Sequence, residues 1–414
     1  MPSAKGKTRR VIILGSTGSV GTQTIDVIDH LNTLCREGRF PHAFQVVALA
    51  AGANANLLAQ QASTHPQAQL TLADESVNYK GPGSPTRGPN AALNLVRTTE
   101  ADLVVAAMVG AAGLPATLAA VEAGTNVALA NKETLVVAGQ LITQAAQRTG
   151  ARLLPLDSEH AGVWQTLAGH IPPNTAPPFL TPDHVRKVII TASGGAFRDR
   201  TLAEIEHATP AQALDHPNWN MGQKVTIDSA TMVNKGLELI EAHHLFGLQS
   251  SRLGVLLHRQ SAVHALAQLD DGGIIAHLGA TDMRAPILAA LAYPETATSH
   301  PGARMDIESI TTLDFQPLDP ARFPAVGLAR RVVDQPATTA GAIFNAANEI
   351  AVEAFLSRRI PFGAIVPIIE RTLDAIQPSP ISGLASALEA DADARRSAES
   401  RLDECARNKT ISGA

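Results

Sequence analysis

Residues 11–30, VIILGSTGSVGTQTIDVIDH, read as strand, glycine turn and helix. Val11 to Leu14 form an apolar run suited to a buried parallel strand. Gly15, Gly18 and Gly21 then permit a tight turn, close approach of a diphosphate and close helix–strand packing. The spacing is GxxGxxG in place of GxGxxG, so an ordinary glycine-rich turn stands beside the dinucleotide reading. A second strand is expected over 44–51, at the distance a crossover helix needs, and it runs into Gly52, Ala53 and Asn54. No acidic residue stands there to hold a ribose 2′-hydroxyl, which favours NADP over NAD, and no basic residue stands there to meet a 2′-phosphate.

The alternation continues outward from this unit. Residues 102–109 and 126–129 read as strands with a helix over 114–122 between them. Asn131, Lys132 and Glu133 come just past a strand end, the edge where open α/β sheets hold ligands, although a solvated turn would look the same. Residues 78–90, rich in Gly and Pro, are expected to be a surface loop.

Composition sets the outer limits. A chain of 414 residues accommodates two or three domains, and a net charge of -5 gives no reason to expect nucleic acid or an anionic membrane as partner. Cys35 and Cys405 lack metal-ligand spacing and are too few for a disulfide scaffold, which favours a reducing compartment. The apolar run after Arg9 and Arg10 is too short for a signal peptide, and no run is long enough to span a bilayer. A cytoplasmic protein is expected.

The middle of the chain carries the chemistry. A strand over 152–156 leads into Asp157, Ser158 and Glu159. In extended chain, Asp157 and Glu159 share a face, where two carboxylates repel unless a cation lies between them. Oxygen ligands of that kind select Mg2+ or Mn2+, and Glu238 offers a third. The competing reading is a capped helix start at Asp157 or Ser158. In the run 188–195, VIITASGG, a strand delivers Ser193, Gly194 and Gly195 into a turn suited to an anion.

Residues 216–243, HPNWNMGQKVTIDSATMVNKGLELIEAH, combine a loop, an anion site and carboxylates. His216, Trp219 and Met221 lie in a segment whose Pro and Gly exclude regular helix. Val225 to Ile227 alternate like a short strand, and Asp228 and Ser229 then read as caps of a helix bearing Leu237, Ile240 and Leu245. Ser229, Asn234 and Lys235 fall around that helix start, where free N–H groups favour an anion. Glu238 or Glu241 is placed to reach a metal.

Strands over 253–258 and 274–278 predict a second sheet, and His258 and His264 read more readily as packed histidines than as substrate contacts. From 293 to 326 the prolines at 294, 301, 317, 320 and 324 suggest a linker. Beyond it, 340–358 and 362–376 have helical periodicity, and 381–408 reads as a surface helix or helix pair. Asn345, Asn348 and Glu349 there are expected to hold helix contacts.

Taken together, GSTGSVG (15–21), ANKE (130–133), LDSEHAG (156–162), TASGGAFR (191–198), HPNWNMG (216–222), DSATMVNKGLELIEA (228–242) and NAANEIAV (345–352) resemble 1-deoxy-D-xylulose 5-phosphate reductoisomerases, over nearly the whole chain. The resemblance implies an α/β protein with a Rossmann-like NADPH-binding domain (1–156), a catalytic α/β domain (157–292) with a mobile loop near 215–223, a linker (293–326) and a helical C-terminal domain (327–414). It implies a homodimer that converts 1-deoxy-D-xylulose 5-phosphate to 2-C-methyl-D-erythritol 4-phosphate with NADPH and Mg2+ or Mn2+, Co2+ being a further possibility. Asp157, Glu159 and Glu238 would hold the metal. Substrate would meet Ser158, Glu159, Ser193, His216, Ser229, Asn234, Lys235 and Glu238, with Lys132, Glu159 and His216 at the chemistry. The cofactor would meet Thr17, Gly18, Ser19, Val20, Gly52, Ala53, Asn54, Asn131, Glu133 and Gly222. Ala53 stands where members often carry a basic residue, and Arg259 where they carry a proline.

Two other readings compete. A plain NADP-dependent semialdehyde dehydrogenase would not need three converging carboxylates. A regulatory nucleotide-binding protein would not need to retain Asp157, Glu159, Glu238 and Lys235.

Overall fold

A computed structural model describes residues 6–219 and 221–412, with side chains to residue 402, so Cys405 and Asn220 lie outside the described side chains. Seven parallel strands form the first sheet: β1 (Arg9–Leu14), β2 (Phe44–Ala51), β3 (Gln69–Leu72), β4 (Thr86–Arg87), β5 (Leu103–Ala106), β6 (Asn126–Leu129) and β7 (Leu153–Pro155). Their order, β4-β3-β2-β1-β5-β6-β7, reverses direction at β1 and opens a crevice at the carboxyl ends of β1 and β5. The glycine turn occupies that crevice. Gly15 adopts φ +82, and a Cβ there would stand 2.4 Å from the Ala107 carbonyl oxygen. A Cβ on Gly21 would stand 2.3 Å from Gly15 O, so the Ser19–Arg36 helix approaches as closely as the sequence suggests. The 78–90 stretch, expected to be all loop, supplies the exposed edge strand β4.

The second sheet is mixed. Its strands are β8 (Val185–Ala192), β9 (Leu253–Leu257), β10 (Val263–Leu269), β11 (Ile274–Leu278) and β12 (Gln316–Pro317), in the order β11-β10-β8-β9-β12. β8 and β9 run parallel and the other pairs antiparallel. β10 went unread, and β12 comes from the proline-rich span read as linker. Pro317 sits at the sheet's edge, where a missing N–H costs least.

The Val225–Ile227 strand reading is wrong: these residues lie inside a helix, Gln223–Thr231. Three alternating residues carry little period information, whereas Thr226, Ile227, Ala230 and Thr231 are buried at helical spacing. Asp228 and Ser229 are therefore helix-interior residues and not caps. Met232, at φ +62, ends this helix and starts the next, Val233–Phe246. That second helix is almost wholly buried between the Pro324–Val333 helix and the Lys132–Thr149 helix. The latter kinks at Ala138, beside Gly139, where a Cβ would stand 2.1 Å from the half-buried His244 ring. Ala340–Leu356, Ile365–Ala375 and Leu384–Ser412 complete a helical layer, the last as one helix and not a pair. No described helix is long and apolar enough to cross a membrane.

Candidate active site

β6 and β7 are neighbours, so the residues that follow them emerge side by side. Lys132 comes after β6 and Asp157 after β7, and Lys132 Nζ lies 2.5 Å from Asp157 Oδ2. Asp157 holds the N-cap position of the Ser158–Leu167 helix, yet its side chain makes no capping bond, which removes the capping account for it. Its Oδ2 is buried without an aligned hydrogen bond.

The Val233–Phe246 helix meets this edge with Asn234, Lys235 and Glu238. Lys132 Nζ donates to Asn234 Oδ1 at 2.7 Å and lies 3.6 Å from Glu238 Oε1. Asn234 Nδ2 donates to Glu238 Oε1 at 2.5 Å. Lys235 Nζ bridges Glu159 Oε1 at 2.8 Å and Glu238 Oε2 at 2.5 Å, while Ser158 Oγ donates to Glu159 Oε2 at 2.5 Å. One oxygen from each of Asp157, Glu159 and Glu238 lies within 4.8 Å of the others, a donor set fit for a hard divalent cation.

The electrostatics follow from that crowding. Burial and then repulsion by Glu159 push Glu238 up to about 7. Burial also opposes charge on Glu159, but Lys235, His264 and the Ser158 hydroxyl outweigh it and hold that carboxyl well below its usual range. Burial disfavours the Lys132 cation, and Asp157, Glu238 and Glu241 more than restore it. Three carboxylates thus share two ammonium groups and keep a surplus negative charge that a cation would relieve.

His160 and Glu241 form a further pair beneath this cluster. His160 Nδ1 lies 3.0 Å from Glu241 Oε2, and Nε2 donates to the Glu238 backbone oxygen at 2.9 Å. Neither Glu241 oxygen receives an aligned hydrogen bond from the described residues, so charge rather than geometry holds the pair. Burial opposes the His160 cation, but Glu241 raises it to about 9. Asp157, His160 and Glu241 also lie close enough to hold a metal. The motif reading kept to carboxylates and passed over His160.

A second cluster lies at the end of β8. Gly194 and Gly195 adopt φ +85 and +68, and a Cβ on Gly195 would stand 2.6 Å from Ser229 O. The turn therefore lies against the Gln223–Thr231 helix and brings Ser193 near Ser229. His216 Nε2 sits between them, 3.0 Å from Ser193 Oγ and 3.1 Å from Ser229 Oγ. Its Nδ1 accepts the backbone N–H groups of Asn218 at 3.1 Å and Trp219 at 2.9 Å, so the ring proton resides on Nε2. Burial, with help from Arg198, lowers His216 to about 4 and keeps it neutral. Asn218 Nδ2 ties the loop to Arg259 O at 2.7 Å and Ser261 Oγ at 2.6 Å. Trp219 is half-buried, its ring 6.3 Å from that of His264.

Thr17, Gly18, Ser19 and Val20 surround the start of the Ser19–Arg36 helix, where Gly18 supplies no side-chain cap and leaves backbone N–H groups free for an anion. Gln61 Nε2 braces this turn through Ser16 O at 2.7 Å. Gly52, Ala53 and Asn54 are exposed past β2, and Asn54 caps the Ala55–Thr64 helix through Leu57 N. Asn131 is buried, its amide donating to Met108 O, Gly110 O and Glu133 Oε2. Glu133 pairs with Lys224 at 2.7 Å, a residue the motifs did not mark, and Gly222 is exposed at the start of the next helix. A glycine turn with free N–H groups at a strand-order switch fits a dinucleotide.

Comparison with known proteins agrees with this geometry. Residues 11–139 match the family described as 1-deoxy-D-xylulose 5-phosphate reductoisomerase, and 153–246 and 278–397 match its two C-terminal domain families. The chain is similar to the 1-deoxy-D-xylulose 5-phosphate reductoisomerase of Chlorobium phaeovibrioides, 42% identical over 94% of this chain and 98% of that one. It is 43% identical to that of Geobacillus kaustophilus over 95% of this chain and 99% of that one. Among solved structures, the Zymomonas mobilis enzyme in complex with NADPH superposes with a TM-score of 0.81 at 38% identity, over 95% of this chain and 98% of that one. A DOX-P reductoisomerase in complex with NADPH, fosmidomycin and magnesium superposes with a TM-score of 0.83 at 34% identity, with the same coverage.

Proposed function

The chain belongs to the 1-deoxy-D-xylulose 5-phosphate reductoisomerase family, and we infer from this that its two clusters serve one reaction. It is an NADPH- and divalent-metal-dependent oxidoreductase that converts 1-deoxy-D-xylulose 5-phosphate to 2-C-methyl-D-erythritol 4-phosphate in isoprenoid biosynthesis. The observation that carries the reading is the interleaving of Asp157, Glu159 and Glu238 with Lys132 and Lys235 beside a dinucleotide crevice. A dehydrogenase without rearrangement has no use for that donor set.

In this reading Asp157, Glu159 and Glu238 would hold Mg2+, and the same oxygen donors would accept Mn2+ or Co2+. A cation held there would supply Lewis acidity, and NADPH would supply the hydride. The protein's own groups orient and enclose. Lys132 and Ser158 face the substrate's oxygens, while Ser193, His216, Ser229, Asn234 and Lys235 hold the phosphate, so binding energy remote from the reacting carbons sets their alignment. A neutral His216 with its proton on Nε2 suits this role, because it donates to a phosphate oxygen without adding charge. The 216–222 loop closes over the bound substrate and excludes water. Thr17, Gly18, Ser19, Val20, Gly52, Ala53, Asn54, Asn131, Glu133 and Gly222 line the cofactor path.

Residues 1–156 form the NADPH-binding domain, 157–292 the catalytic domain, 293–326 a connecting span and 327–414 the helical domain. Family membership also supports a homodimer, and the free thiol of Cys35 agrees with a cytoplasmic setting. The test is oxidation of NADPH by the purified protein with 1-deoxy-D-xylulose 5-phosphate, with and without Mg2+ or Mn2+. Turnover that survives chelation of divalent metal would return the dehydrogenase reading.

A further inference from the structure

Two carboxylates far apart in the chain meet at one ammonium behind the cofactor edge. Lys224 Nζ lies 2.7 Å from Glu133 Oε1 and 2.9 Å from Asp228 Oδ2. The three side chains are 16%, 5% and 1% exposed in that order, so water screens them little. Each carboxylate is also held on its far side. Glu133 Oε2 accepts from Asn131 Nδ2 at 3.0 Å, and Asp228 Oδ1 accepts from Asn348 Nδ2 at 2.9 Å. A polar chain, Asn131–Glu133–Lys224–Asp228–Asn348, thus runs from the end of β6, through the helix that leaves the 216–222 loop, to the Ala340–Leu356 helix.

Stability alone does not account for it. Burying a charged triad costs about as much as the pairing returns, and a well-packed apolar cluster would hold these elements as firmly. What the triad adds is direction. It fixes which way the Glu133 carboxylate points and how far the first turn of the Gln223–Thr231 helix, with Gly222 before it, stands from β6. Lys224 has no ion pair with Asp157, Glu159 or Glu238 among the described residues, so its action is confined to this edge.

We propose that Lys224 is a positioning residue for the nicotinamide dinucleotide, acting through Glu133 and Gly222. The proposal rests on the reading of Glu133 as a cofactor contact. Without the ammonium, Glu133 and Asp228 face one another unneutralised, the loop-exit helix shifts away from β6, and the dinucleotide loses a set partner. Affinity for NADPH is the property that moves, while the metal and phosphonate site keeps its geometry.

The experiment measures NADPH binding by the cofactor's own fluorescence in the substrate-free, full-length protein, and Mg2+-dependent binding of fosmidomycin by calorimetry. Lys224→Met leaves two opposed carboxylates and can unfold the protein, so the decisive variant is Lys224→Met with Asp228→Asn, which removes the stranded charge. The double variant is expected to melt near the parent temperature, to weaken NADPH binding about tenfold or more, as loss of a charge-assisted hydrogen bond implies, and to change fosmidomycin binding less than about twofold. Lys224→Arg should recover most of the NADPH affinity. A folded double variant with parental NADPH affinity, or one that loses both ligands equally, overturns the proposal. Glu133→Gln separates the two levels: unchanged NADPH affinity in that variant overturns the reading of Glu133 itself.

Discussion

Lys235 places its ammonium 2.5 Å from Glu238 Oε2, three residues further along the same helix. The ammonium thereby occupies the space between two carboxylates that a divalent cation would also seek. Were Glu238 to hold a cation, Lys235 would lose this partner and its ammonium would be available to an anionic group of the substrate. Metal binding and anion binding should reinforce one another.

Glu238→Gln removes the most crowded of the three proposed metal ligands. Turnover should fall by more than the roughly 10–100-fold that loss of an outer-sphere metal partner costs. NADPH binding should remain near parental, since Glu238 lies away from the glycine turn. Steady-state kinetics at limiting Mg2+ decide it, and near-normal turnover would move the assignment to Glu241 and His160.

Ala53 is exposed beyond β2 with open space at neighbouring Gly52. Ala53→Arg should tighten NADPH by about 1.5–3 kcal/mol through a charge-assisted contact with the 2′-phosphate, and leave NADH little changed. Equal effects on both cofactors would show that the adenosine ribose lies elsewhere.

His216 should not titrate near its ordinary value. Burial and Arg198 depress it to about 4 from 6.5, so the folded state favours the neutral ring. Its contribution to stability is complete above 6.5 and is lost as the pH falls from there toward 4. Nitrogen NMR of the ring should report a neutral, Nε2-protonated imidazole over roughly pH 5–8, the range in which an unperturbed histidine changes charge. A midpoint near 6.5 would refute the buried, doubly anchored geometry.

Trp219 and Trp164 provide a paired optical test. Trp164 is buried with its indole N–H on Thr175 O at 2.9 Å, whereas Trp219 is half-buried in the loop. Fosmidomycin with Mg2+ should change the emission of Trp219 and protect it from a soluble quencher, and Trp164→Phe should preserve both effects. A Trp219 that is already shielded without ligand and unaltered by it rules out loop closure.

Gly139→Ala tests the kinked helix. The new methyl would meet the half-buried His244 ring. A stability loss of about 1–3 kcal/mol is expected from overpacking, read by chemical denaturation. An unchanged midpoint would mean that the two helices can separate at no cost.

Most of the first sheet was legible because β1, β2, β5 and β6 are short apolar runs closed by Gly or a polar cluster, and 114–122 and 126–129 coincide with the helix and strand observed, whereas β3 and the exposed two-residue β4 carry no such signal. β10 was not, since the alternation in VHALAQL is indistinct and one of its pairing partners, β8, is far away in sequence. The Val225–Ile227 error came from reading three residues without the burial period that surrounds them. At the site, motif positions named the carboxylates, serines and lysines that the fold brings together. Lys224 and His160 escaped because their meaning lies in partners 91 and 81 residues away, Glu133 and Glu241, which no local pattern announces.

The juxtaposition of β6 and β7 has a consequence for divisibility. Lys132 and Asp157 sit on the ends of the dinucleotide sheet, while Lys235 and Glu238 come from a helix more than seventy residues beyond Asp157. The candidate site is therefore assembled from stretches of chain that lie far apart in sequence. A cut between Pro172 and Pro182 would separate Asp157 and Glu159 from Glu238, Ser193 and Ser229, and each fragment should be inert alone. Only their non-covalent reassembly could restore turnover, which makes activity in this enzyme a direct gauge of how its halves meet.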